Sequence, residues 1–263
     1  MRRTVSCSLS AELLAPADIE LQVAVAAPLS DRLTVTIDGV AVEPAELATE
    51  AGGRLHILEA VTGRLEVSYD CTVVGSLPSV ETLPTDRSVY LRPSRYAESD
   101  RLAALATAEL GGLDDPAELL RAAGAWVGSR LSYVAGSSRG TDGAVDTLLA
   151  GAGVCRDYAH LVVALLRARD VPARLVSVYA PGLQPMDFHA VAEALVDGRW
   201  CVVDATLLAP RSTLVRIATG RDAADTAFLS SSGGELRLDA MSVSAVVDGD
   251  LPADDLDELV ALS

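Results

Sequence analysis

The chain has few aromatic residues and no segment long and apolar enough to cross a bilayer. Phe, Trp and Tyr make up 4% of its 263 residues, so we expect alanine, valine and leucine to fill the core. No apolar run approaches the roughly 20 residues that a membrane-spanning helix needs. The two arginines near the start are not followed by a continuous apolar segment, which argues against a secretory signal. We therefore predict a soluble cytoplasmic protein.

The chain also lacks the residue patterns of zinc sites and disulfide scaffolds. Its four cysteines, Cys7, Cys71, Cys155 and Cys201, are far apart and form no CxxC pair, which fits a reducing compartment. We predict no cofactor and no catalytic metal. Basic residues are few as well, because 21 basic against 37 acidic residues leave a net charge of −16. Such a surface repels nucleic acid and anionic lipid, so neither is an expected partner.

The first part of the chain, residues 1–80, has the pattern of a small β-sandwich domain. Apolar residues alternate with other residues in several segments, among them 19–25, 33–37 and 65–73. Asp38-Gly39 is a strong signal for a two-residue hairpin turn. Residues 81–98 contain prolines among polar residues and are predicted to be a linker.

The periodicity then becomes helical, which predicts an α+β catalytic domain over residues 99–247. We expect three helices. The first covers residues 99–110, the second begins after Asp115 as N-cap with Pro116 at its first position, and the third covers residues 154–169. Three strands follow, predicted at 173–180, 188–196 and 199–207. Residues 248–263 are acidic with a thin apolar stripe, which predicts a solvated, partly helical tail.

Cys155 opens the third predicted helix, directly after Gly151, Ala152 and Gly153. Unpaired N–H groups and the positive end of the helix dipole stabilise a thiolate at such a position. The same N–H groups can bind the oxyanion that forms when a carbonyl is attacked. By itself the position favours a small buried residue, so a nucleophilic thiol needs support from a base.

The chain has three histidines from which that base can come. His160 lies on the same predicted helix, about 140° around its axis from Cys155, so it faces elsewhere. His56 lies in the predicted sandwich as an ordinary strand residue. His189 is therefore the expected general base.

A predicted hairpin supplies His189 with an acid. If Asp197-Gly198 forms a two-residue turn, His189 and Asp204 lie on one face as diagonal neighbours, with anchor atoms roughly 7–8 Å apart. A four-residue loop gives the same pairing, whereas a three-residue loop would put the two side chains on opposite faces. His189 would take the thiol proton and Asp204 would orient its ring, while Cys201 faces the core.

Several motifs resemble the bacterial transglutaminase-like family: SYVAGSS (132–138), GVCRDYAHLVVALLRARDVPARLVS (153–177), DFHA (187–190) and VVDAT (202–206). Flanking stretches are similar as well, so the resemblance covers residues 90–247. It implies a papain-like core of helices on an antiparallel sheet, preceded by a β-sandwich domain. It also implies a triad that maps onto Cys155, His189 and Asp204, acting on a peptide or protein substrate. The expected chemistry is thiol-dependent acyl transfer from an amide, either to water or to an amine, with hydrolysis favoured.

The sequence departs from the family pattern at three places near the motifs. Val191 stands where a tryptophan is common, Ala205 replaces a proline, and Asp170 replaces a glycine. Tyr133 and Ser138 are candidates for completing the oxyanion site because they lie in a matching segment.

Two other motif matches are weaker than the cysteine interpretation, and one alternative function remains. GSSRG (136–140) matches the serine-hydrolase pattern GxSxG, but no histidine follows Asp204 as that fold requires. GAGVCR (151–156) begins like a dinucleotide-binding motif but has arginine at the third glycine position. The alternative function is that of a binding or scaffold protein that keeps the fold without turnover.

Overall fold

Fifteen strands and five helices lie in the residues that the computed structural model describes, which are 1–60, 62–76 and 80–262. The strands are β1 (Arg2–Leu13), β2 (Ala17–Leu21), β3 (Asp31–Ile37), β4 (Val40–Val42), β5 (Ala45–Ala48), β6 (Arg54–Ala60), β7 (Gly63–Val74), β8 (Ser132–Tyr133), β9 (Ala152–Gly153), β10 (Ala173–Tyr179), β11 (Phe188–Val196), β12 (Arg199–Val203), β13 (Val215–Gly220), β14 (Leu229–Ser232) and β15 (Leu236–Val247). The helices are α1 (Asp86–Tyr90), α2 (Ala103–Leu110), α3 (Pro116–Arg130), α4 (Ala144–Ala150) and α5 (Cys155–Ala168). No helix in this part of the chain is long and apolar enough to span a membrane.

Two antiparallel sheets form the predicted sandwich. One has the order β15-β1-β7-β3-β4 and the other β14-β2-β6-β5. Burial alternates along β1 and β7, because successive side chains of a strand point to opposite faces. The inward residues of both sheets share one apolar core, to which Leu9, Val67 and Ile19 belong. The predicted turn at Asp38-Gly39 is present, with Ile37 opposite Val40.

Strands β14 and β15 belong to this sandwich, although the sequence interpretation assigned residues 99–247 to the catalytic domain. β15 pairs with β1 along almost its whole length, and β14 pairs with β2. Alternation along a strand indicates that one face is buried but not which strand lies beside it. The chain therefore crosses into the catalytic region and returns to close both sheets.

The region predicted to be catalytic is built on a third antiparallel sheet with the order β12-β11-β10-β13. Helix α5 packs against β10 and β11, and α2, α3 and α4 pack around α5. The helices predicted from the sequence are present, and Asp115 caps α3 by accepting hydrogen bonds from the N–H groups of Ala117 and Glu118, both at 2.9 Å. The fold is therefore an α+β core of helices on an antiparallel sheet, preceded by a β-sandwich, as predicted.

The predicted linker, residues 81–98, contains the short helix α1 and packs onto the third sheet. The ring of Tyr90 meets that of Trp200 edge to face, with centroids 5.3 Å apart. The indole N–H of Trp200 donates to Asp86 at 3.3 Å. These contacts hold the crossing segment against β12.

The acidic tail differs from its prediction, because its described residues, 248–262, contain no helix and are partly packed. The backbone N–H of Val202 donates to the carbonyl of Val260 at 2.8 Å, so the tail covers part of edge strand β12. Arg211 forms an ion pair with Asp254 at 3.0 Å, and Leu262 is buried. An exposed sheet edge offers unpaired N–H and carbonyl groups, which the tail satisfies.

Candidate active site

Cys155 is the first residue of α5 and lies where the helix leaves its first N–H groups unpaired. The helix begins there because Asp157 accepts a hydrogen bond from the N–H of Val154 at 2.8 Å. Gly153 allows the approach, since a Cβ atom at that position would lie 2.7 Å from the Cβ of Asp157. Cys155 is partly exposed, whereas the other three cysteines, Cys7, Cys71 and Cys201, are buried. The thiol at the helix start is thus the one that solvent reaches.

His189 and Asp204 form a hydrogen-bonded pair with 2.7 Å between Nε2 and Oδ2. An ionised carboxylate only accepts hydrogen bonds, so Nε2 carries a proton. The other ring nitrogen, Nδ1, has no hydrogen-bond partner among the residues that the structure describes. Asp204 is held in turn by Thr206, whose N–H and hydroxyl donate to Oδ1 at 2.9 and 2.6 Å. The ring is therefore anchored at Nε2, whereas Nδ1 is buried and is not held by the carboxylate.

The hairpin of β11 and β12 positions this pair. Asp197 and Gly198 form the turn with positive φ angles of 49° and 78°, and Val196 lies opposite Arg199, as the sequence predicted. The pairing continues to Ala192 opposite Val203. His189 and Asp204 lie just beyond these pairs, and their hydrogen bond agrees with the prediction that they share a face.

The charges around His189 favour its protonated form. Burial by itself lowers the pKa of His189, but the charge and hydrogen bond of Asp204, together with Cys155, outweigh burial and raise the pKa to about 10. Burial opposes ionisation of Asp204, yet His189 and Thr206 lower its pKa. Cys155 also raises the pKa of His189, which indicates that the thiol lies close to the ring. An imidazolium beside an open thiol is the charge arrangement that activates a sulfur nucleophile.

Tyr133 and Ser138 have different positions relative to the thiol. Partial burial, reinforced by Cys155, raises the pKa of the Tyr133 hydroxyl to about 12, so this hydroxyl lies near Cys155. Ser138 instead donates to Asp157 at 2.9 Å and accepts from Arg156 at 2.6 Å. Tyr133 is therefore beside the reacting sulfur, whereas Ser138 helps to hold the start of α5.

A cavity of about 490 Å³ opens where Cys155 and His189 meet. Its wall is mostly apolar and also includes the carboxylate of Asp187, whose pKa is raised by burial. Volumes of roughly 300–1,000 Å³ are typical of sites that bind small molecules or side chains. The reactive groups therefore face a space that a substrate can enter.

Comparison with known proteins shows which chains this one is similar to. The model of the transglutaminase-like superfamily matches residues 103–205. The crystal structure of a candidate cysteine protease from Cytophaga hutchinsonii is 32% identical and superposes with a TM-score of 0.85, covering 98% of this chain and 96% of that one.

The chain belongs to the transglutaminase-like superfamily.

Two further relatives are more distant. An uncharacterised protein of Mycobacterium leprae (strain TN) is 27% identical over 150 residues, so the match spans 53% of this chain and 53% of that curated relative. The periplasmic domain of TgpA from Pseudomonas aeruginosa is 18% identical, with a TM-score of 0.43 over 77% of this chain and 90% of that one.

The structure accounts for one departure from the transglutaminase-like pattern and locates the other two. Asp170, in place of a common glycine, has a φ of 59°, which glycine adopts without the strain that other residues incur. Val191, in place of a common tryptophan, is buried in the core on one side of the third sheet. Ala205, in place of proline, is also buried, and its carbonyl lies close to Gly128 of α3.

The other two histidines and the serine of GSSRG do not belong to the group formed by Cys155, His189 and Asp204 in this transglutaminase-like site. His160 is buried, accepts a hydrogen bond from the N–H of Ala223 at 3.1 Å, and has its pKa lowered by burial to about 3. His56 contacts Glu46 in the sandwich at 3.2 Å. The serine of GSSRG, Ser138, is bonded to Asp157 and Arg156 as described above. Residues 1–60, 62–76 and 80–262 contain no group of side chains arranged to hold a metal ion.

Sequence reasoning missed two features of this superfamily member's site. Asp157 stabilises the start of α5, and its spacing of three residues from the N-cap position is a signal that could have identified it. The contribution of the sandwich to the cavity wall, through Phe228 and Met241, has no local signal, because no short segment shows that these residues lie beside Cys155.

Proposed function

We propose that this protein is a cysteine-dependent enzyme that cleaves an amide bond of a peptide or protein through a thioester on Cys155. The observation that carries the proposal is the orientation of His189, with Nε2 held by Asp204 and Nδ1, unpaired within the described residues, on the other side of the ring near a partly exposed thiol. The close similarity to a candidate cysteine protease along almost the whole chain supports the same reaction class.

In the acylation step, the sulfur of Cys155 attacks the carbonyl carbon and His189 holds the proton that leaves the thiol. The negative charge moves to the carbonyl oxygen, where N–H groups of the first turn of α5 and the hydroxyl of Tyr133 stabilise it. The tetrahedral species collapses, the C–N bond breaks, and His189 gives its proton to the leaving amine. A thioester and a neutral ring remain.

In the deacylation step, a water molecule attacks the thioester while His189 removes one of its protons. The carboxylic acid leaves, and Cys155 and His189 return to their starting protonation states. An amine can replace water in this step, which would make the product an amide. We propose hydrolysis as the main outcome, because the near-full-length relative is described as a cysteine protease.

Intact-protein mass spectrometry with a peptide thioester as acyl donor tests the covalent step. We expect one acyl group on the wild type, a free acid as the main product, and no adduct on Cys155→Ala. The chain contains no lysine, so acylated lysine side chains cannot produce a false signal.

His189→Gln and the matched variant His56→Gln complete this experiment. We expect the first to lower the acylation rate on the order of 10³-fold or more, and the second, which lies in the sandwich, to leave it unchanged. If the wild type forms no adduct, or if His189→Gln reacts as fast as the wild type, the protein is a binding or scaffold protein instead. Added glycine amide that diverts most of the product to an amide would indicate transamidation.

A further inference from the structure

The cavity at Cys155 has walls from two parts of the chain. Leu175 and Ile217 come from the third sheet, whereas Gln22, Phe228 and Met241 come from the sandwich strands or the residues beside them. The sandwich therefore lies against the reactive groups, and its residues bound the same space as the thiol. This arrangement gives the sandwich a position from which it can select substrates.

The only two phenylalanines of the chain stack on each other in this wall. Their ring centroids are 5.0 Å apart with planes inclined by 21°, which joins Phe188 of the catalytic hairpin to Phe228 of the sandwich. Phe188 also lies 5.6 Å from the ring of Tyr179 and is the residue directly before His189. Aromatic residues make up only 4% of the chain, yet three aromatic rings lie together near His189. They place a large apolar surface next to the thiol and the imidazole.

Strand β15 contributes a further apolar side chain where the sandwich core ends. Val243 and Ala245 point inward and are 7% and 2% exposed, whereas Met241 on the same face is 38% exposed. The inward-facing side of β15 thus contributes Val243 and Ala245 to the core and Met241 to the cavity wall. Methionine is flexible and polarizable, so it adapts to apolar ligands of different shape.

The charged groups of the cavity offset one another, which favours an uncharged occupant. Arg156 is already bonded to Ser138, Asp157 and the carbonyl of Arg139, so its charge is compensated. Asp187 accepts a hydrogen bond from the N–H of Phe188 at 2.7 Å, and its carboxylate interacts with the charge of His189. Apolar surface dominates the rest of the wall.

We propose that this cavity is a specificity subsite, built jointly by the sandwich and the catalytic hairpin, for a bulky apolar side chain of the acyl-donor peptide. The inference rests on the proposed function, since it assigns the side chain that lies beside the carbonyl attacked by Cys155. Burial of that side chain against Phe188, Phe228 and Met241 removes apolar surface from water and holds the carbonyl at the thiol.

Three peptide vinyl sulfones that differ only in one side chain, phenylalanine, serine or lysine, test this proposal. The sulfur of Cys155 adds to the vinyl carbon, His189 supplies the proton that completes the adduct, and intact mass measures the rate. We expect the phenylalanine probe to react at least about tenfold faster than the serine probe. Equal rates would overturn the proposal, and a fastest reaction with the lysine probe would replace it with cation recognition by Asp187.

Met241→Glu and the matched variant Val246→Glu locate the effect. Both residues lie on β15 and are similarly exposed, at 38% and 42%, but only Met241 lines the cavity. We expect Met241→Glu to slow the phenylalanine probe about tenfold more than it slows the serine probe, and Val246→Glu to change neither. If both glutamate variants behave alike, the wall does not select the side chain.

Iodoacetamide separates failure of this proposal from failure of the proposed function. If it labels Cys155 rapidly in wild type and Met241→Glu but the three vinyl sulfones react alike, the nucleophile stands and the subsite is wrong. If no reagent labels Cys155 in the folded wild type, the proposed function is wrong and the subsite falls with it. Circular dichroism of each variant confirms that the fold is kept.

Discussion

His189 is buried to 1% exposure, where an isolated imidazole would lose its charge. Asp204, at 2% exposure and 2.7 Å away, reverses that tendency because a fixed carboxylate in a poorly solvated site interacts strongly with a cation. The ring can therefore hold a proton at neutral pH. This balance makes Asp204 as important to the proposed chemistry as the base itself.

Asp204→Asn is expected to lower the acylation rate on the order of 10³-fold while Cys155 stays in place. An asparagine amide donates to Nε2, which moves the ring proton to Nδ1, the nitrogen that must accept the thiol proton. Acylation of Cys155 by the peptide thioester measures the effect. The control is Asp197→Asn in the turn of the same hairpin, where φ is 49° and asparagine is well tolerated. Equal rates for the two variants would contradict the role of Asp204.

Stability is expected to depend on pH through the same pair. Because the folded-state pKa of His189 is raised from 6.5 to about 10, its contribution is fully present below pH 6.5 and is lost as the pH rises through about 10. The difference in free energy of unfolding between wild type and His189→Gln should therefore shrink over that interval. Urea unfolding between pH 5.5 and 10.5 measures it, and tyrosine titrations cancel in the difference. A constant difference, or a ring that titrates near 6.5 by NMR, would contradict the expectation.

At the scale of elements, helix α3 lies unusually close to the end of β12. Gly124 and Gly128 face that strand, and a Cβ atom at Gly128 would lie 2.7 Å from the carbonyl oxygen of Ala205, next to Asp204. Backbone atoms cannot rotate away as a side chain can, so the helix or the strand would have to move. The glycine therefore sets how closely the helix approaches the acid of the site.

Gly128→Ala is expected to destabilise the fold by about 1–3 kcal/mol through this overlap. In an unconstrained helix the same change would stabilise by roughly 0.5–1 kcal/mol, so the sign of the effect is diagnostic. Urea denaturation measures the free energy of unfolding, and Ser129→Ala at the neighbouring exposed position is the control. A stabilised Gly128→Ala variant would mean that α3 is not held against Ala205.

At the scale of the whole molecule, the sandwich and the catalytic region share a core. Tyr179, Val215 and Ile217 of the third sheet are members of the apolar cluster formed by the sandwich strands. The hydroxyl of Tyr179 donates to the carbonyl of Val23 at 2.8 Å, and Arg3 donates to the carbonyl of Leu214 at 3.2 Å. Together with the return of β14 and β15, these contacts make each part depend on the other.

We therefore expect one cooperative thermal transition. A chain of 263 residues with two weakly joined domains would unfold in two steps, whereas a shared core couples them. Differential scanning calorimetry measures this, and the calorimetric and van't Hoff enthalpies should agree. Two resolved transitions would show that the predicted domains, 1–80 and 99–247, are independent after all.

The local features of the site could be predicted from short stretches of sequence. Asp197-Gly198 specifies a turn because few residue pairs adopt two positive φ angles, and that turn sets which residues of β11 and β12 share a face. The start of α5 at Cys155 and the cap at Asp115 follow from equally local hydrogen bonding. The family resemblance then indicated the α+β core and its preceding sandwich.

The features that join distant segments could not be predicted in this way. The return of β14 and β15 to the sandwich, the packing of the acidic tail on β12, and the wall of Phe228 and Met241 beside the thiol depend on which surfaces meet. The partial exposure of Cys155, set against three buried cysteines, has the same origin.

By itself, then, the sequence determined the turn, the helix start and the membership of one family, since turn dihedrals and terminal N–H groups involve only a few neighbouring residues. The tertiary structure alone decided that the sandwich borders the reactive sulfur and that its strands are completed from the end of the chain. These packing contacts depend on many weak, non-directional burial interactions between residues far apart in the chain. No short segment of sequence is therefore sufficient to predict them.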